Sequence, residues 1–266
     1  MKKTWIIVAL IVMLLISPVF AKKPTAKLTV NGVPVELEQE FVTSGTGNDV
    51  AQVYELTAPI ETADYKIVSV MVNYKEDPHI DYVIGVIDTG APTSFSFTFN
   101  SPINPVIAGP NQVRSSMAMS TTDGDNTRPY NGVTVTALSP PTGIPVDSDG
   151  ITELQVTTVS DGSVRENVGL DLGGPSVFLP DPPQSSTWGP FNEGFISGPV
   201  SATGWNEIQV NVNFRGSGGG DVYSLNGRSD IIKPSPIPEF PTVALPTALI
   251  VGLIGAVLSI RKTEEN

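Results

Sequence analysis

The sequence predicts an all-β fold, a β-sandwich of jelly-roll-like form, and three observations carry that reading. Short runs of β-branched and aromatic residues alternate with polar ones, which is the period of strands with one buried face. The 25 Gly and 24 Pro punctuate these runs at intervals too short for long helices. Between residues 24 and 233 no stretch carries a 3.6-residue apolar period, so no amphipathic helix is expected there.

The elements follow in order. Residues 26–30 alternate, Asn31-Gly32 turns the chain, and 33–37 resume; Asn-Gly between such runs signals a hairpin. Residues 50–56 and 65–74 read as strands, the second with Ile67, Val68, Val70 and Val72 as its apolar positions. Residues 81–87 are apolar enough to be buried on both faces. In 93–99, Phe95, Phe97 and Phe99 fall on one face and Ser94, Ser96 and Thr98 on the other, the pattern of an aromatic core stripe. Strands are expected at 113–120, 133–137 and 152–159, and more weakly at 164–172 and 194–196. Residues 205–214 alternate Ile208, Val210, Val212 and Phe214 with Gln209, Asn211 and Asn213, so the amide face is expected in solvent. Residues 216–221 read as a flexible turn, 222–225 as a short strand, and the Pro-rich 231–238 as an extended tether.

Both ends are set apart from this fold. Residues 1–21 have the form of a secretory signal peptide: Lys2 and Lys3, an apolar stretch, then small residues at Val19 and Ala21, with cleavage expected after Ala21. The alternative is an uncleaved N-terminal anchor. At the other end, Pro238-Glu239-Phe240 precedes an apolar run at 241–260, and Arg261 and Lys262 open a short tail at 261–266. At about 1.5 Å per residue the run makes a helix of roughly 30 Å, enough to cross a bilayer. The two basic pairs, each beside an apolar run, stay cytoplasmic by the positive-inside rule. Residues 22–230 are then an extracellular β-sandwich domain, and 231–240 are the tether and motif.

This C-terminal order of motif, spanning helix, basic residues and chain end resembles the PEF-CTERM sorting signal, an archaeal relative of the PEP-CTERM tail. The resemblance implies that an archaeosortase-like membrane enzyme recognises Pro238, Glu239 and Phe240, cuts near them and transfers the protein to a surface anchor. A plain uncut membrane anchor is the alternative. A lipid-transfer signal of the GPI type fits less well, because its hydrophobic tail usually ends the chain without a basic stop.

Composition bounds the function. The formal net charge is −12, which opposes nucleic-acid phosphates and suits a solvated surface protein. There is no cysteine, hence no disulfide and no thiolate chemistry. One histidine, His79, reads as a surface-loop residue beside Pro78, far from any nucleophile elbow. Asp88-Thr89-Gly90 after a hydrophobic strand has the look of an aspartic protease loop. That chemistry needs two carboxylates sharing a proton; the chain has no second copy of the motif, and a β-turn is the plainer reading. Two acidic loops, one with Asp123 and Asp125 and one with Asp147 and Asp149, offer hard oxygens of the kind Ca²⁺ takes. Trp188 and Trp205 are candidates for stacking on sugar rings.

These readings give an exported cell-envelope protein, structural or adhesive, not an enzyme. Its expected partners are an archaeosortase-like enzyme, the membrane, and surface glycans or neighbouring envelope proteins. An extracellular carbohydrate-binding module is the second reading and a surface hydrolase the third.

Overall fold

The computed structural model describes residues 23–37, 41–44, 51–75, 78–107, 111–124, 132–138, 150–174, 176–179, 185–197 and 204–232. The chain divides into two units, Met1–Ile232 and Lys233–Asn266, and every described residue belongs to the first. The expected signal peptide with Ala21, the motif Pro238-Glu239-Phe240, the helix at 241–260 and the tail at 261–266 lie outside the described residues. Among the described residues no helix is long and apolar enough to cross a membrane.

The described chain is all β, as expected: two antiparallel sheets packed as a sandwich. In chain order the strands are β1 (Thr25–Val30), β2 (Val33–Val35), β3 (Phe41–Ser44), β4 (Ala51–Glu55), β5 (Ile60–Glu61), β6 (Tyr65–Lys75), β7 (His79–Asp88) and β8 (Ser94–Ile107). They continue with β9 (Gln112–Thr122), β10 (Val133–Ala137), β11 (Gln155–Ser160), β12 (Arg165–Leu170), β13 (Ser176–Leu179), β14 (Ser185–Ser197), β15 (Trp205–Arg215) and β16 (Asp221–Ile232). One sheet runs β12-β11-β15-β8-β1-β2, with β10 and β13 branching from β15. The other runs β14-β9-β16-β7-β6-β4-β3, with β5 against β6.

The hairpin at Asn31-Gly32 forms with positive φ at both residues, the twist a two-residue turn needs. Asn31 also locks onto β8: its Oδ1 accepts from the Ser94 N–H at 2.9 Å. The Phe stripe is the core, with Phe95, Phe97 and Phe99 all fully buried. Tyr82 of β7 packs on Phe99 at 5.4 Å between ring centroids, and Tyr223 of β16 on Phe214 at 5.7 Å. Each pair joins one sheet to the other. Burying such a ring stabilises by about 1.5–3 kcal/mol, so these residues hold the sheets face to face.

Several expectations change. Residues 81–87 are buried on one face only, because β7 alternates buried and half-exposed positions along its length. The amide face of β15 is not in solvent: Asn211 and Asn213 are buried. Their carbonyl oxygens accept from Thr98 at 2.9 Å and Ser96 at 2.5 Å on the adjacent β8, hydroxyls that take the place of water at these two acceptors. The short strand expected at 222–225 is the first part of β16, twelve residues long and paired on both sides. Ile231 belongs to the core, so the tether cannot begin at 231. His79 is 7% exposed on β7 rather than in a surface loop.

Candidate functional site

The outer face of the second sheet carries the site. On β9 the residues Val113, Ser115, Met117 and Met119 are buried, which turns Arg114, Ser116 and Ala118 outward. On β16 the same alternation puts Asn226, Arg228 and Asp230 on that outer face. The register brings them into rows. Ser116 pairs with Arg228, Arg228 with Asp81 of β7, Asp81 with Asn73 of β6, and Asn192 of β14 with Ser116. A second row pairs Arg114, Asp230 and His79.

These rows border a trough. One part, about 410 Å³, is lined by Arg114, Ser115, Ser116, Asn192, Arg228 and Asp230. A second part, about 320 Å³, shares Ser116, Asn192 and Arg228 and extends to Asp81, Asn226 and Pro190. Charges within it are paired. The Arg114 guanidinium forks onto Asp230, Nε to Oδ1 at 3.0 Å and Nη2 to Oδ2 at 2.5 Å. Arg228 reaches Asp230 Oδ2 at 3.5 Å and Asp81 Oδ1 at 3.7 Å, and His79 Nε2 lies 3.1 Å from Asp81 Oδ2. Burial pushes the Asp81 carboxyl up, but His79, Arg228 and Lys75 outweigh it and hold the group below its ordinary value. Asp81 is therefore held ionised, as an acceptor.

The floor of the trough is braced from within the sandwich. Gly227 lies directly opposite Tyr82; a Cβ there would sit 2.5 Å from the tyrosine Oη. The missing side chain lets the Tyr82 ring cross β16 and donate its hydroxyl to Gln155 Oε1 of β11. Gln155 Nε2 donates to Ser115 Oγ at 2.5 Å, and Thr157 bonds both Ser115 at 3.0 Å and Ser229 at 2.6 Å. A buried polar chain thus ties β11 of one sheet to β7, β9 and β16 of the other.

The residues expected from sequence fall elsewhere. Asp125, Asp147 and Asp149 lie outside the described residues. Asp123, after β9, is half-buried, and its charge helps push up the carboxyl of Asp221. Among the described residues no group of three or more acid or histidine side chains is placed to hold a metal. Trp205 is 1% exposed and part of the core, so neither ring face is open to a sugar; this corrects the stacking expectation there. Trp188 lies on β14, half-buried against the core. The Gly189-Pro190 pair forms a bulge with a cis peptide bond.

Asp88, of the protease-like triplet, is fully buried and serves as an anchor. Its Oδ2 accepts from the Thr93 N–H at 2.9 Å and the Gly218 N–H at 3.0 Å. Burial pushes its carboxyl up, and these bonds together with Arg215 offset part of that. The turn at 216–221, expected to be flexible, is held by this carboxylate and by Gly219 and Gly220 N–H bonds to the Gly90 and Asp88 carbonyls, at 3.0 and 2.7 Å.

The fold and the trough together define an antiparallel β-sandwich with a charge-paired polar outer face. No family model matches the chain, and no curated protein matches it. Among solved structures it is weakly similar to TmCBM61, a carbohydrate-binding module solved in complex with beta-1,4-galactotriose. The identity is 14% and the TM-score 0.27, with 69% of this chain and 88% of that chain covered.

Proposed function

We propose that this is an exported cell-envelope protein, structural or adhesive and not an enzyme, whose C-terminal segment holds it at the membrane while the β-sandwich presents the trough. The two apolar ends with their basic flanks support export and anchoring. The observation that supports a contact role is the polar trough on the outer face of the second sheet, preformed by the Arg114–Asp230 fork and braced by Tyr82 and Gln155. In this reading Pro238, Glu239 and Phe240 are the site where an archaeosortase-like enzyme acts, and the protein is its substrate.

A carbohydrate-binding module is the second reading. The hydrogen-bonding side chains of the trough favour it, while the burial of Trp205 removes one of the two rings expected to stack on a sugar. A hydrolase is disfavoured, because Asp81 and Asp230 are both tied to guanidinium groups and a retaining or inverting pair needs one protonated acid.

Mass spectrometry of the C-terminal peptide from native cells tests the anchoring. A mature chain ending near residues 237–240 and carrying a lipid or other group is expected. An intact terminus at Asn266 would leave a plain membrane anchor and remove the archaeosortase.

A further inference from the structure

We infer that the row Asn192, Ser116, Arg228, Asp81 and Asn73 is a binding site for a neutral oligosaccharide laid across the strands. The inference rests on the reading of this face as the protein's contact surface.

Geometry gives the row its direction. The five residues sit on β14, β9, β16, β7 and β6, each in register with the next. Neighbouring strands lie about 4.8 Å apart, so the row spans roughly 19 Å perpendicular to the strands. It therefore suits an elongated ligand of a few repeating units rather than a compact one.

Chemistry gives the class. Along the row stand an amide, a hydroxyl, a guanidinium, a carboxylate and a second amide, so donors and acceptors are interleaved. A sugar hydroxyl donates and accepts at once and can meet both kinds. A phosphate or carboxylate ligand only accepts and would meet Asp81, held ionised by its neighbours, as a repulsive group. The two guanidiniums are already balanced by Asp230 and Asp81, and the whole chain carries −12, so a polyanion gains no net attraction. An extended peptide finds no edge along most of the row, because β9, β16, β7 and β6 are each paired on both sides; the sheet's edge is β14, at the Asn192 end alone.

The site is also organised before binding. The ion pairs fix Arg228 and Asp81, and the Tyr82–Gln155 chain fixes the floor, which lowers the ordering cost of a polar ligand. None of the five residues is aromatic, so the single-site Kd is expected at about 1 mM. Many copies on one surface would raise the effective affinity by multivalency.

The test titrates the full-length chain in detergent micelles with mannotriose, xylotriose, cellotriose and trigalacturonate, read by saturation-transfer NMR. At least one neutral trisaccharide should bind, insensitively to added salt, and trigalacturonate should not. An Asn192→Ala/Asn73→Ala variant, and separately Ser116→Ala, should each weaken binding tenfold or more with an unchanged melting temperature. The inference is overturned if no neutral sugar binds, if trigalacturonate alone binds, or if both variants bind as the parent does. A chain processed at its tail but blind to sugars would lose this inference and keep the envelope reading; a sugar-binding chain with an intact terminus would keep this inference and lose only the archaeosortase.

Discussion

Asp88 and Asp221 stand opposite each other in the β7–β16 register, two buried carboxyl groups at one end of the paired strands. Asp88 holds Thr93 and Gly218, while Asp221 accepts from the Gly124 N–H at 3.2 Å and from Ser217 Oγ at 2.5 Å. Between them they fasten three loops with one pair of side chains. Burial pushes both carboxyls up, and for Asp221 the charge of Asp123 adds to it.

A pH dependence follows from the sign of those shifts. A group whose folded value lies above its unfolded value contributes stability in full at low pH and loses it as pH rises through the folded value. The melting temperature should therefore climb as pH falls toward the ordinary carboxylate range. Asp81 acts oppositely: its lowered value contributes stability above the ordinary carboxylate range and loses it in stronger acid. Calorimetry across pH should show a maximum on the acid side of neutrality. A profile flat through that window would contradict the assigned shifts.

Replacing Asp88 separates its charge from its bonds. Both N–H donors point to the same oxygen, Oδ2, so Asp88→Asn can keep them and remove the buried charge. Asp88→Ala leaves two N–H groups without their acceptor, at about 1–3 kcal/mol for each buried group left unsatisfied. Urea unfolding should rank Asn close to or above the parent at neutral pH and Ala well below it, and Asn should flatten the pH profile.

At Gly218 the turn admits no side chain. Its φ is +84°, and a Cβ would lie 2.4 Å from the Gly90 carbonyl oxygen. Gly218→Ala combines backbone strain with a collision against backbone, and a loss of about 2 kcal/mol or more is expected. Thermal unfolding of that single variant measures it.

Tyr82→Phe probes the bridge between sheets. The ring and its contact with Phe99 remain, but Gln155 Oε1 loses the hydroxyl that bonds it. A buried acceptor left without its donor costs about 1–3 kcal/mol. Chemical denaturation should show that loss, and an unchanged midpoint would mean the buried polar chain contributes nothing net.

The sequence made the strands legible where local chemistry and tertiary setting agree. Asn31-Gly32 and the alternating Phe95, Phe97 and Phe99 state a hairpin and a core stripe by themselves. Asn211 and Asn213 misled because their partners, Thr98 and Ser96, lie more than a hundred residues away and become visible only once β8 and β15 pair. β16 looked short because Asn226-Gly227-Arg228 breaks the apolar alternation; Gly227 is there to admit the Tyr82 ring. Only 194–196 of β14 looked like a strand, because Gly189-Pro190, here a bulge, interrupts the run before it. The trough left no local trace: Arg114 and Arg228 meet at one Asp230 only through the register of two strands. The outward alternation of Arg228 and Asp230 was the one available hint, and it needed the true length of β16 to be read.

The place of β16 has a mechanical consequence. The chain leaves the described fold at Ile232, the end of a strand paired over ten residues with β7 and over eleven with β9. A pull on that end acts along the strand and loads both ladders in shear, with the hydrogen bonds resisting together. The same pull on an edge strand, drawn sideways, would peel bonds one at a time. A protein held by its C-terminal end in a moving fluid would thus meet drag with a strand paired on both sides.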